Sequence, residues 1–244
     1  MAKIRLFIDH PLDRGQAVPL NADQAHYLGT VMRQAPGAQF LAFNGRDGEW
    51  RLTITELGRR GGTAQAQEPT APQLDPPDLW LLFAPIKKAR TDFIVEKAAE
   101  MGVARIQPVQ TDHTNAERIR QDRLQAHAVE AAEQCGGTFV PPVAELVALS
   151  RLLDSWPADR RILWADEALA GPAQVLSGLQ RGPWAILIGP EGGWSEPERA
   201  RLASMPQVTP IALGPRILRA DTAAVASLAL WQAALGDWTV AGGG

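Results

Sequence analysis

The chain has a single cysteine among 244 residues. Cys135 therefore has no thiol partner within the chain for a disulfide or a metal site, which fits a reducing compartment. No run of 18 apolar residues occurs, so no membrane-spanning helix is expected. The N-terminal stretch MAKIRLFIDHPLDRG lacks the apolar region and small-residue cleavage site of an export signal, so a cytoplasmic location is expected. A basic excess is missing too: 24 Lys and Arg stand against 27 Asp and Glu, a formal charge of -3. Phosphate contacts usually dominate affinity for nucleic acid. Composition alone thus favours a small-molecule enzyme, and nucleic acid would need a local basic face. His10, His26, His113 and His127 form no HExxH or close liganding pair, so no metal site is expected. There is no GxSxG elbow, no GxGxxG fingerprint and no P-loop, which counts against hydrolase, dinucleotide and ATP sites.

What is present is ample core-forming material, with 45% hydrophobic and 21% charged residues, as in ordinary globular domains. A break falls at EPTAPQLDPPD, residues 68–78, where four prolines in eleven residues oppose a helix or central strand. Before it, RLFI, QFLAF, EWRLTITEL and GTAQAQE are short, partly alternating segments divided by glycine-rich turns, as in a small β-rich domain. NADQAHYLGTVMR is read as one helix capped by Asn21. After the break, apolar strands alternate with helices: DLWLLFAPI, TDFIVEKAAEMG, ARIQPVQT, ERIRQDRLQAHAVEAAEQCGG and onward to TAAVASLALWQAALG. That alternation predicts a mostly parallel sheet covered on both faces.

Two loops carry the strongest signals. In ILIGPEGGWSEPE, residues 186–198, a buried strand ends at Gly189 and a helix opens near Ser195. Ser195 and Glu198 form a capping box, and Pro197 falls in the first turn, where its missing N–H does no harm. Glycines let backbone N–H groups approach a ligand, and open α/β sheets bind ligands at the carboxyl ends of their strands. In LGPRILRADTAAVAS, residues 213–227, Arg216 and Arg219 precede an apolar helix opened by Asp221 or Thr222. Each arginine suits either a bidentate phosphate contact or a pair with Asp221. Further basic candidates are Lys87, Lys88 and Arg90 at a strand's carboxyl end. Arg118, Arg120 and Arg123 are placed at the start of the long helix, where the dipole disfavours cations. His26 and Arg33, seven apart, are expected on one helical face.

Read in order, HYLGTVMR (26–33), DFIVEKAAEMGVARIQPVQT (92–111), EAAEQCGGTFVPPV (130–143), IGPEGGWSEPE (188–198) and LGPRILRADTA (213–223) resemble the RsmE family, the 16S ribosomal RNA (uracil-N3) methyltransferases of the SPOUT class. The resemblance spans nearly the whole chain. It implies an α/β protein with a PUA-like β-barrel at residues 1–72 and a SPOUT domain with a deep C-terminal trefoil knot at 73–244. It implies S-adenosyl-L-methionine as methyl donor, lined by Gly189, Glu191, Gly192, Gly193, Leu213, Gly214, Ile217 and Leu218. It also implies a homodimer through the C-terminal domain and, as partner, 16S ribosomal RNA in the small subunit. Arg219 is the expected catalytic group, with Glu191 a candidate base. His26, Arg33, Lys87, Arg90, Arg118, Arg120, Arg123 and Arg216 are the expected RNA contacts. The chain departs from the family pattern at Gly137, at Thr111-Asp112-His113-Thr114-Asn115 and at Arg219-Ala220-Asp221-Thr222-Ala223. These departures leave two alternatives: a SPOUT enzyme acting at another RNA position, or a non-catalytic RNA-binding or assembly factor.

Overall fold

The computed structural model describes residues 4–115, 119–166, 176 and 178–239; Arg118 lies outside them. Contacts divide the chain into Met1–Asp75 with Ala132–Val140, and Pro76–Ala131 with Pro141–Gly244. A division at residue 72 thus leaves 132–140 in the wrong unit. Arg5 shows why they belong to the first. Its guanidinium pairs with Glu49 at 2.5 Å and donates to the carbonyl oxygens of Ala132 at 2.6 Å and Gly137 at 2.5 Å.

The first unit contains β1 (Arg5–Phe7), β2 (Ala17–Leu20), α1 (Ala22–His26), β3 (Gln39–Phe43), β4 (Glu49–Gly58) and β5 (Gly61–Ala71). The strands form one sheet in the order β1-β3-β4-β5-β2. It is antiparallel except for the β1–β3 pair. Alternation decides the buried face: Trp50, Leu52 and Ile54 point inward and join Val18, Phe40 and Ala64 in the core. At the β4–β5 turn Gly61 adopts φ +143, and a Cβ there would stand 2.7 Å from the Leu20 carbonyl oxygen, so only glycine fits.

Two features of this unit differ from expectation. β5 runs on to Ala71 and includes Pro69, although prolines were expected to end it. Its partner β2 pairs only with residues 62–65, so Pro69 lies where β5 is an edge, beside register shifts in its pairing with β4, the setting in which a strand tolerates proline. The expected single helix is α1, with its Asn21–Gln24 capping box, followed by a wider π-helical turn at Tyr27–Val31. Arg33 then takes a left-handed φ of +54. The seven-residue spacing of His26 and Arg33 therefore places no shared α-helical face.

The second unit contains β6 (Leu79–Phe83), α2 (Lys88–Glu100), β7 (Arg105–Gln110), α3 (Gln121–Cys135, whose last turn belongs to the first unit), β8 (Val147–Ala148), α4 (Leu149–Asp154), β9 (Arg161–Ala165), β10 (Trp184–Ile188), α5 (Glu196–Ser204), β11 (Val208–Ile211) and α6 (Ala220–Leu235). Its sheet runs β11-β9-β10-β6-β7-β8, and every pair is parallel. β10 is buried along its whole length, as a central parallel strand covered on both faces must be. Its register aligns Ile188 with Phe83 of β6 and Ala165 of β9, and Ala165 with Ile211 of β11. Four strands thus end at one level. α3 starts at Gln121, so Arg120 precedes the helix it was expected to open. α6 starts at Ala220 with Arg219 at its cap position, one residue before the expected Asp221. No described helix is long and apolar enough to cross a membrane.

Asp47 provides a pH test of the first unit. Its carboxylate accepts from the Leu12 N–H at 3.0 Å and from Asn44 Nδ2 at 2.6 Å, and these bonds hold its pKa below the ordinary 3.8. A depressed folded-state pKa contributes stability that is full above the unfolded value and is lost as pH falls through the folded one. Denaturant titrations of wild type between pH 6 and pH 2 should show this loss below about 3.8, with a shallower acid limb in Asp47→Asn. Identical acid limbs would refute the assignment.

Candidate active site

Because β6, β9, β10 and β11 end together, the segments that leave them converge. After β10 the chain turns through residues 189–193 into α5, held by the Ser195–Glu198 capping box with Pro197 in the first turn. Trp194 is buried in the core beneath. After β11 residues 213–219 lead into α6. Between these loops lies a cavity of about 470 Å³, in the range of small-molecule sites.

All eight residues expected to line a donor site border this cavity. Gly189, Glu191, Gly192 and Gly193 lie on one side, and Leu213, Gly214, Ile217 and Leu218 on the other. Arg216 and Arg219 border it as well. Sequence reading missed the floor, which includes Ala165, Asp166 and Ile188 from the strand ends. The strands themselves were legible, but their level ends depend on register. The glycines have separate reasons. A Cβ on Gly189 would stand 2.8 Å from the Trp194 ring, and one on Gly192 would stand 3.0 Å from His113 Cβ. Gly193 and Gly214 take φ values of +70 and +96, which L side chains avoid.

Charge is arranged unevenly around this cavity. Arg90, on α2, hydrogen-bonds Glu191 of the first loop and faces Asp221 of α6 at 3.7 Å. It thereby braces both loops, and of the two roles open to Arg216 and Arg219 the pair with Asp221 is taken by Arg90 instead. Arg199 holds the buried Asp166 at 2.5 Å. Arg216 and Arg219 have no ion pair or side-chain hydrogen bond among the described residues, and both are exposed. Ile217 lines the cavity yet is 83% exposed, an apolar side chain left without cover at its rim.

The remaining basic residues separate into free and engaged cations. Lys87 is exposed and unpaired among the described residues, as are His26 and Arg33. Arg123 is bonded to Asp92 on α2. Arg120 pairs with Asp122 at 2.6 Å, which raises the arginine's pKa and lowers that of the carboxylate. The segment after β7, where the chain departs from the family pattern at residues 111–115, gains contacts that the sequence did not show. Thr111 and Thr114 bond to each other at 2.7 Å, Asp112 accepts from Ser195 at 2.5 Å, and His113 Nδ1 lies 3.0 Å from the Gly192 carbonyl oxygen. The Thr111–Thr114 bond is local, but only the fold brings His113 to Gly192, 79 positions on, and Asp112 to Ser195, 83 positions on. A second cavity, about 280 Å³, includes Ile86, Lys87, His113 and Asn115, and shares Pro190 and Glu191 with the first.

These features define an α/β protein with a cavity of small-molecule size between two glycine-bearing loops at the carboxyl ends of a parallel sheet. Residues 73–232 match the family model of an RNA methyltransferase domain, and residues 20–66 that of an RNA methyltransferase PUA domain. The chain belongs to the RsmE family of RNA methyltransferases. A ribosomal RNA small subunit methyltransferase E from Synechocystis is 32% identical over 228 residues, 89% of this chain and 73% of that one. Its counterpart from Rickettsia conorii is 28% identical over 92% of this chain and 93% of that one. The crystal structure of a ribosomal RNA small subunit methyltransferase E from Neisseria gonorrhoeae bound to S-adenosyl methionine matches with a TM-score of 0.87 at 29% identity. That match covers 97% of this chain and 100% of the other.

The packing at Gly189 gives a direct test. Gly189→Ala forces a Cβ against the buried Trp194 ring, and overpacking of this kind costs about 1–3 kcal/mol. Chemical denaturation should show that loss, and unchanged stability would mean that Trp194 yields freely.

Proposed function

We propose that this chain transfers a methyl group from S-adenosyl-L-methionine to N3 of a specific uridine in 16S ribosomal RNA of the small subunit. The observation that carries the reading is the first cavity, whose rim unites all eight expected donor residues. The Neisseria relative bound to S-adenosyl methionine supports it. The residues present fit such a donor. Gly189, Gly192 and Gly193 leave peptide surface uncovered, the Glu191 and Asp166 carboxylates suit a cationic ligand, and Ile217 and Leu218 provide apolar cover. When bound, the donor supplies an electrophilic methyl carbon, activated by its sulfonium.

The protein's own part is alignment and charge stabilisation. Arg90 braces the two loops against each other. Uridine N3 is protonated near neutral pH, and its loss of a proton places negative charge on O2 and O4. Arg219, free and at the cavity rim, is assigned to stabilise that charge. Glu191 is engaged by Arg90 and is assigned to holding the loop rather than to proton removal. In a duplex the N3 edge is occupied, so the target is unpaired or flipped out. Lys87, Arg216 and Arg33, unpaired among the described residues, are assigned to RNA together with His26, and Arg90, Arg120 and Arg123 contribute only where their carboxylate partners leave charge over.

Finer architecture belongs to the same reading. The five-stranded sheet of the first unit is assigned as a PUA-like barrel. The loops at 189–193 and 213–219 are assigned to a deep trefoil knot of SPOUT type, a topology otherwise almost absent from proteins. A homodimer through the second unit is supported by Val225, Ala226, Ala229 and Leu230, which leave the less buried face of α6 apolar. Small subunits are assembled in the cytoplasm, where the enzyme is placed.

The experiment is methylation of small subunits from cells lacking the endogenous enzyme, with labelled donor and identification of the product nucleoside. N3-methyluridine at one site near the 3′ end is expected. Label at another base or position would overturn the target while leaving the methyltransferase class. Arg219→Ala should lower transfer roughly 100-fold or more with donor affinity unchanged, and wild-type turnover would remove its role. Replacing Lys87 or Arg216 by alanine should weaken RNA binding and reduce its salt slope by about one for each phosphate no longer neutralised. An unchanged slope would count against both residues as phosphate ligands.

A further inference from the structure

The second cavity, of about 280 Å³, is bordered by Pro85, Ile86 and Lys87 after β6 and by His113 and Asn115 after β7. It shares Pro190 and Glu191 with the donor cavity as a common wall. His113 Nδ1 stands 3.0 Å from the Gly192 carbonyl oxygen and 3.2 Å from that of Gly193. Carbonyls only accept, so in the neutral ring Nδ1 carries the hydrogen and Nε2 keeps its lone pair. Nε2 has no hydrogen-bond partner among the described residues. The ring is also held in place from both sides. The bonds between Thr111 and Thr114 close the turn that presents His113, and glycine at 192 leaves room for its Cβ at 3.0 Å.

We propose that this cavity is the acceptor subsite and that His113 is the catalytic residue that removes the acceptor's proton. The inference rests on the acceptor being a uridine N3, as argued above. The chemistry that fits is an unstacked ring bearing an imide N–H between two carbonyls. Pro85, Ile86 and Pro190 offer apolar surface to its faces, and the Asn115 amide is a donor for one of its carbonyl oxygens. In the step, the N3–H bond breaks and its proton passes to His113 Nε2. The electron pair left on N3 forms the bond to the methyl carbon, and the carbon–sulfur pair returns to sulfur. One positive charge is lost at sulfur and one gained on the imidazole, where the Gly192 and Gly193 carbonyls stabilise it. General-base assistance of this kind is worth about 10²–10⁴-fold.

The test compares wild type with His113→Asn in single-turnover methylation of small subunits. Asparagine can still donate to the Gly192 and Gly193 carbonyls but has no counterpart of Nε2. The transfer rate should fall about 100-fold, with unchanged affinity for donor and for subunits. The deficit should shrink as pH rises, because alkaline solution ionises N3–H without a base. The other charged groups about the cavity, Lys87, Glu191 with its partner Arg90, and Asp112, are common to both proteins, so their titration cancels in the ratio of rates. A wild-type rate in the variant would overturn the proposal, as would a deficit constant across pH, which marks a positioning role alone. Loss of donor binding in the variant would equally overturn it, placing His113 in loop support. Should wild type yield a product other than N3-methyluridine, the uridine reading itself fails, a result separable from the others because it is read from the wild-type product.

Discussion

The site depends on one constraint, the level ending of the parallel strands around β10. Trp184–Ile188 is buried throughout, and its ladder bonds to β6 and β9 leave no freedom to slide without breaking the row. In a sheet covered on both faces, a slip of one residue would also reverse every side chain. Because Phe83, Ala165, Ile188 and Ile211 stop together, the loops that follow them meet over a single edge. The glycine loops then need only short spans to enclose a cavity.

What the sheet places, ion pairs and backbone contacts brace. Arg90 links the loop after β10 to the start of α6, and Arg199 steadies Asp166 at the cavity floor. Such partly exposed pairs contribute little to global stability. Their consequence is positional, since they neutralise carboxylates and orient the loops while leaving Arg216 and Arg219 unpaired. A chain with a formal charge of -3 can in this way keep local cations available to a polyanion. The overall balance, which alone favours a small-molecule enzyme, is a poor guide because ion pairs remove cation and carboxylate alike, and what a partner meets is set by where the unpaired cations lie.

The small cavity beside the donor site extends the same logic to the acceptor. Gly192 belongs to the donor loop, yet the residue seated against its missing side chain is His113, from the strand end two places away in the sheet. One glycine of the first cavity thus seats a residue of the second, and in the proposed reading the shared wall at Pro190 and Glu191 sets donor and acceptor side by side. Holding the two reactants in fixed adjacency is the larger part of what a methyl-transfer site must do.

Much of this was legible in the chain itself. The capping box at Ser195 and Glu198, the alternation in EWRLTITEL and the apolar parallel strands are local signals, each set by a few neighbouring residues. The two glycine loops were legible for the same reason, and so was the family to which they belong. Local patterns could not show that Pro69 sits on an edge, that a π-turn separates His26 from Arg33, or that residues 132–140 join the first unit through Arg5. Nor could they show which cations are free. Arg123 and Arg90 look alike in sequence to Arg216 and Arg219 until Asp92, Glu191 and Asp221 are brought beside them. Sequence by itself determined the elements, their caps and the glycine turns, because backbone preference and periodicity act over a few residues. Only the tertiary structure decided the level strand ends, the charge pairing and the seat of His113, because each requires residues tens of positions apart to share one edge of the sheet.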